Sequence, residues 1–169
     1  MGYKIILTGA TGMVGKGVLL ECMDAPEIEQ VLLVSRKTAG INHAKVREIL
    51  VQDFFDLSAM EEDFKGYDAC FFCLGITSIG ETEASYSRIT HDLSLNFARS
   101  FIKYNVKSIF CYVSGTGTDS SEKGKIMWAR IKGKTENELL KMPFKKAYMF
   151  RPGYIQPLKG IKSKTKWVQ

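Results

Sequence analysis

The sequence predicts an α/β fold, a parallel sheet covered by helices on both faces, and three observations predict it. Short apolar runs of strand length alternate with helix-length amphipathic segments along the chain. The first of these runs ends in a glycine-rich turn that opens a helix. The chain has 169 residues, 45% of them hydrophobic and 25% charged, which suits one folded domain over 1–169. Strands that alternate with helices require right-handed crossovers, and crossovers of that kind build parallel sheets buried on both sides.

The elements follow in order. Tyr3–Thr8 is a short apolar run stopped by Gly9 and reads as a buried strand. From Gly12 to Asp24, Val14, Val18, Leu19 and Cys22 fall at helical spacing, and Ala25-Pro26 ends the helix. Gln30–Ser35 is the second strand, Val46–Asp53 the third, and a short helix is expected over Ser58–Phe64. Asp68–Gly75 is the fourth strand. Ala84–Tyr104 reads as one long helix, with Tyr86, Ile89, Leu93, Phe97 and Phe101 along a side that serves as core or as a homodimer face. Lys107–Ser114, Lys125–Leu140 and Lys145–Arg151 complete the pattern as strand, helix and strand. The chain stops soon after this sixth strand, so the fold is expected to be a domain truncated before its C-terminal helices.

Composition narrows the function classes. No apolar run reaches the roughly 18 residues of a membrane helix, so no membrane span is expected. Ile5-Ile6-Leu7 is too brief for the core of a secretory signal, and a cytoplasmic protein is expected. The net charge of +6 suits an anionic ligand. Lys159, Lys162, Lys164 and Lys166 form a basic tail with Trp167 as its lone aromatic partner, which reads as a solvated end. The expected partner is therefore a small molecule or nucleotide, with no nucleic acid. Cys22, Cys70, Cys73 and Cys111 sit in apolar stretches and read as free thiols. Cys70 and Cys73 spell CxxC inside a strand, where residues three apart face opposite ways, so neither redox nor zinc chemistry is expected there. His43 and His91 lie far apart in sequence, and no metal site is expected.

The run Thr8-Gly9-Ala10-Thr11-Gly12-Met13-Val14-Gly15 carries the chemistry. Gly9 permits the tight turn, Gly12 lets backbone approach a phosphate, and Gly15 lets helix and sheet pack closely. Amides of Thr11, Met13 and Val14 at the helix mouth, aided by the helix dipole, would then hold a diphosphate. This GxxGxxG wording resembles the short-chain dehydrogenase/reductase superfamily, in particular its atypical and extended branches, over nearly the whole chain. The resemblance implies a doubly wound Rossmann fold of strand order 3-2-1-4-5-6 with a dinucleotide across the carboxyl ends of the strands.

Where a NAD site usually places an acid, at the end of the second strand, the sequence reads Ser35-Arg36-Lys37. Two cations and a hydroxyl suit a 2′-phosphate, so NADP(H) is preferred and NAD(H) is the alternative. The resemblance adds Asp53-Phe54 as the place that meets the adenine amino group, and Leu74-Gly75-Ile76 as the backbone along the ribose.

The family's chemistry uses a serine after the fifth strand and a Tyr-x-x-x-Lys on the next helix. Ser114 matches the serine and Lys132 the lysine, but Trp128 stands where the tyrosine belongs. An indole N–H donates a hydrogen bond without being a useful proton source near neutral pH. Lys132-Gly133-Lys134-Thr135-Glu136, with the later Arg151-Pro152-Gly153-Tyr154, resembles the branch that holds NmrA-like regulators and the Tat-interacting-protein type of oxidoreductase, whose relatives are often labelled nucleotide-sugar epimerases or dehydratases. That resemblance implies that the backbone of Arg151, Pro152 and Gly153 turns toward the nicotinamide; Tyr154, which follows them at the carboxyl edge of the sheet, is the candidate for a substitute proton donor. Two functions remain open: an NADP(H)-dependent oxidoreductase or epimerase with an altered active site, and a non-catalytic regulator or interaction module that senses the dinucleotide.

Overall fold

A computed structural model describes residues 2–161; the lysines of the tail from 162 onward and Trp167 lie outside the described residues. One sheet of six strands organises them: β1 (Tyr3–Thr8), β2 (Ile28–Ser35), β3 (Val46–Leu50), β4 (Ala69–Phe72), β5 (Ile109–Val113) and β6 (Lys146–Phe150). Every pairing is parallel and the order is β3-β2-β1-β4-β5-β6, as the resemblance implies. Four helices flank it: α1 (Met13–Asp24), α2 (Glu83–Ser87), α3 (Leu93–Tyr104) and α4 (Met127–Lys141).

Alternation across the pleat divides the core in two. On one face Ile6, Leu32, Cys70, Phe72, Phe110 and Tyr112 pack with Phe97 and Phe101 of α3 and Leu139 of α4. On the other, Leu7, Val31 and Leu33 pack against Leu19 and Cys22 of α1. Cys70 and Cys73 fall into these opposite layers, as strand geometry requires. All four cysteines are free, and burial pushes the thiols of Cys22, Cys73 and Cys111 up to about 11, 12 and 11.

Three expectations are corrected. The third strand ends at Leu50 rather than Asp53, because Val51 already turns into the core and its amide bonds back to Ser35. Ser58–Phe64 is a 3₁₀ segment, started by Asp56, whose Oδ1 accepts from the amide of Ser58 at 3.2 Å. The long helix is not uniform: α2 runs through a π turn, Arg88–Asp92, into α3. In that wide turn the Thr90 carbonyl accepts from Ser94 Oγ at 2.7 Å, and buried His91 lies between Asp92 (2.7 Å) and Glu138 of α4 (3.0 Å). No helix among the described residues is long and apolar enough to cross a membrane.

Since all strands run one way, their carboxyl ends share one edge, and that edge carries Gly9, Ser35, Cys73, Ser114 and Arg151.

Candidate functional site

The glycine turn opens this edge. Gly9 adopts φ +72°, and a Cβ there would come within 2.6 Å of the Cys73 carbonyl, so the turn and the exit of β4 are in backbone contact. A Cβ on Gly15 would collide with the carbonyl of Gly9, which ties α1 to the turn at a distance only glycine allows. The Gly12 amide is used internally, donating to Gly9 O at 2.9 Å. Beyond it α1 begins with no side-chain cap and no acid in its first turn. The leading amides of a helix have no acceptor within the helix, and among the described residues no side chain caps them here. A helix mouth of this kind suits an anion.

That helix mouth faces an open cleft of about 750 Å³, walled by Gly9, Thr11 and Gly12, by Ser35 to Thr38, and by Cys73, Leu74 and Gly75. Arg36 and Lys37 are exposed on its second wall and make no ion pair among the described residues. A smaller cleft of about 370 Å³ continues from it between Arg36, Asp53, Phe55, Ile76 and Arg88, with the Arg88 guanidinium stacked 4.4 Å over the Phe55 ring. The structure thus brings together Gly9, Thr11, Gly12, Arg36, Lys37, Asp53, Leu74, Gly75 and Ile76.

Other expected members are placed differently. Ser35 Oγ points inward, 2.9 Å from the Lys37 carbonyl and 3.1 Å from Glu48 Oε1, so its one hydrogen is taken and the expected donation to a phosphate is corrected. Phe54 borders the smaller cleft, but its ring is buried and stacks on Phe97 at 6.0 Å. Val14 lines a separate apolar hollow of about 470 Å³ with Val18, Phe71, Cys111, Val113 and Phe150, and Met13 lines another of about 210 Å³ between α1 and the segment from Ile155 to Ile161. What Met13 and Val14 leave at the helix mouth is their backbone amides.

At the other end, β5 delivers Ser114, whose amide bonds to Phe150 O at 2.7 Å. Its hydroxyl lies 2.7 Å from Thr118 Oγ1. Thr118 donates its own hydrogen to Gly115 O at 2.7 Å, so Ser114 is the donor of the pair and keeps only lone pairs for a ligand. Trp128 lays its six-membered ring over the loop, 3.5 Å from where a Cβ on Gly117 would stand and 3.8 Å from that of Gly115. One turn on, Lys132 Nζ donates to Val113 O at 3.3 Å and sits 5.3 Å from the centre of the Tyr112 ring. Burial pushes the Lys132 ammonium down to about 8, with Glu136 pulling the other way.

That depression has a sign that can be tested. An unfolded lysine holds its proton to about pH 10.4, so between about pH 8 and that value the unfolded chain binds more protons and Lys132's cost to the fold fades as pH rises. The buried thiols act oppositely over much of this range, so the difference between the parent and Lys132→Met isolates the effect. In denaturant melts, Lys132→Met is expected to be the more stable protein at pH 7, with the advantage shrinking toward pH 10.5. A constant difference across the range would contradict it.

Sequence reasoning missed the partners of Arg151. Its guanidinium makes a bidentate pair with Glu136, Nε donating to Oε1 at 3.0 Å and Nη2 to Oε2, and Nη2 also reaches Ser120 Oγ at 2.6 Å. The Arg151 side chain therefore braces α4. Its carbonyl, with that of Pro152, accepts from Thr116 Oγ1 (3.1 Å) and Thr116 N (2.9 Å), and Gly153 packs on Thr116. Tyr154 is 77% exposed and lines no described cleft, so the substitute proton donor is corrected: nothing holds that phenol near Ser114. Also missed was Gly133, where a Cβ would strike the Asp119 carbonyl and push the loop off α4. Among the described residues no three His, Cys, Asp or Glu side chains are grouped to hold a metal ion.

The model of the "NAD dependent epimerase/dehydratase family" matches residues 5–125, from β1 past the Ser114 loop. The chain belongs to that family. Of its curated relatives, protein FMP52 of Meyerozyma guilliermondii is 23% identical over 153 residues, 90% of this chain and 65% of the relative. Protein HTATIP2 of Rattus norvegicus is 26% identical over 154 residues, 90% of this chain and 62% of the relative. The chain thus spans somewhat less than two thirds of the length of these relatives. Among solved structures, a short chain dehydrogenase from Burkholderia cenocepacia in complex with NADP superposes with a TM-score of 0.70 at 14% identity, over 93% of this chain and 74% of that one, and shares its fold. These matches bear out the resemblance to atypical short-chain dehydrogenases/reductases. One expectation is overturned: the FMP52 relatives are named mitochondrial, against the cytoplasmic reading. That reading rested on a missing secretory core, and delivery to mitochondria uses amphipathic segments that need no such core.

Proposed function

We propose that this family member binds NADP(H) along the carboxyl edge of its sheet and acts, as an oxidoreductase or nucleotide-sugar epimerase/dehydratase type of protein, on a small carbonyl or hydroxyl compound. One observation carries the reading: the Gly9–Gly12 turn that leads into the uncapped α1, and the cations Arg36 and Lys37, which have no ion-pair partner among the described residues, wall the same 750 Å³ cleft. A diphosphate suits the first wall and a 2′-phosphate the second. In the smaller cleft, Asp53 keeps one carboxylate oxygen free for an adenine amino group, since Oδ1 accepts from the Phe55 amide at 2.9 Å.

A bound nicotinamide supplies or accepts the hydride; this chain's residues must bind, orient and manage the proton. Lys132 holds the ribose hydroxyls next to the nicotinamide by exchanging its bond to Val113 O for them. Ser114 orients the substrate oxygen, accepting from a substrate hydroxyl directly, or donating to a carbonyl once it leaves Thr118. The proton reaches the reacting oxygen from water, because the indole of Trp128 does not release one and the Tyr154 side chain is exposed to solvent. A second reading, a dinucleotide-sensing regulator with little turnover, is favoured by Trp128 packing on Gly115 and Gly117 where a proton donor would stand.

Titration with NADPH and NADH, followed by nicotinamide and tryptophan fluorescence, tests the cofactor. NADPH is expected to bind at least about tenfold more tightly, as charge-assisted bonds to one added phosphate imply. Equal millimolar dissociation of both would remove the reading.

A further inference from the structure

We infer that Glu48 is the positioning residue for cofactor choice: from behind the Ser35–Ala39 loop it holds Arg36 and Lys37 toward the cleft, and so sets the preference for a 2′-phosphate over a 2′-hydroxyl. The inference rests on the NADP(H) reading proposed above.

Glu48 is on β3, paired in register with Leu33 of β2, two residues short of the strand end where the loop begins. Both of its carboxylate oxygens are used by that loop. Oε1 accepts from the Ala39 amide at 2.8 Å and lies 3.1 Å from Ser35 Oγ, while Oε2 accepts from Thr38 Oγ1 at 2.6 Å. Thr38 Oγ1 in turn accepts from the amide of Gly40 at 3.0 Å, and Gly40 turns the chain away at φ +65°. The loop is therefore pinned at its far end, at Thr38 and Ala39, by one side chain that also meets its first residue, Ser35.

What the loop carries makes the pin consequential. Arg36 and Lys37 are adjacent like charges with no anionic partner among the described residues, and both line the cleft. Left to itself such a pair spreads into solvent, and a ligand that needs both must order them again at the cost of affinity. Glu48 itself does not line the cleft. An acid facing the ligand at this end of the sheet would accept from a ribose 2′-hydroxyl and repel a phosphate. This acid instead faces the back of the loop with its lone pairs taken up by loop donors. Its effect on the ligand passes through the two cations.

The test compares the parent chain with Glu48→Gln and Glu48→Ala, titrated with NADPH and NADH by nicotinamide fluorescence, with thermal melts to confirm folding. Glu48→Ala is expected to weaken NADPH about tenfold and NADH less than about twofold, so the preference collapses. Glu48→Gln, which keeps one acceptor oxygen, is expected to fall between, and it decides the matter should the alanine variant not fold. Variants that keep the parent's preference overturn the inference alone. So does tighter NADPH binding in Glu48→Ala, which would mean that the carboxylate repels the ligand directly. A parent with no preference overturns the NADP(H) reading itself, and the inference with it.

Discussion

Replacing Arg151 with methionine is expected to destabilise the fold by about 1–3 kcal/mol, the cost of leaving a buried group without its partner, discounted from that of a fully buried pair because the guanidinium side is open to water. Glu136 is only 2% exposed, and its carboxylate is matched by the bidentate guanidinium from the exit of β6. With Arg151 gone, the nearest cation on the same helix face is Lys132, itself held in an environment that disfavours its charge. The reverse change, Glu136→Gln, is expected to cost less, because the Arg151 side chain is 40% exposed and can turn to water. The asymmetry is the informative part. Denaturant unfolding of both variants measures it, and a loss below about 1 kcal/mol in Arg151→Met would show that the pair does not hold α4 against β6. Loosening is also expected where Ser114 is delivered. The strands β5 and β6 leave the sheet together, joined by Ser114 N to Phe150 O (2.7 Å) and Thr116 N to Pro152 O (2.9 Å), and Arg151 anchors that pair of loops to α4.

Trp128→Tyr is expected to raise NADPH-dependent reduction of small carbonyl compounds by about 10²–10⁴-fold, the range a positioned general acid contributes. Trp128 stands four residues before Lys132 on α4, so a phenol there shares a helix face with an ammonium that burial has already pushed down to about 8. That cation would favour the phenolate and ease proton transfer. The smaller ring gives up part of the contact with Gly115 and Gly117, a packing loss of about 1 kcal/mol that a melt would register. Tyr154→Phe, made beside it, is expected to leave the rate unchanged because the Tyr154 side chain stands in solvent. A silent parent that becomes active with tyrosine would favour the sensing reading of the natural chain. A parent already active, with a rate that Trp128→Tyr does not alter, would show that its proton comes by a route independent of this position.

The elements that could be read from the chain alone are those whose cause is local. Strand alternation, the glycine spacing at Gly9, Gly12 and Gly15, and the missing acid after β2 are properties of consecutive residues, because pleat, turn and helix entry are decided over a few residues at a time. For the same reason Trp128 and Lys132 could be placed on one helix face from their spacing. The π turn at Arg88–Asp92 escaped that reading, since its apolar spacing matches an ordinary helix and the widening accompanies His91 fitting between Asp92 and Glu138.

Whatever depends on which element lies beside which was decided only in three dimensions. Glu48 meets Ser35, Thr38 and Ala39 because β3 pairs with β2 in one particular register. Glu136, a polar residue on a helix when read in the chain, is a buried anion because β6 brings Arg151 to it. Ser35 and Ser114 have the side chains a ligand site requires, yet each has its hydrogen engaged by a neighbour within the protein. Sequence determined that a dinucleotide-type turn and a lysine without its tyrosine exist in this chain. Tertiary structure decided which donors are free and which charges are paired, because hydrogen bonds and ion pairs reach only about 3 Å and neighbours that close are set by packing across the sheet.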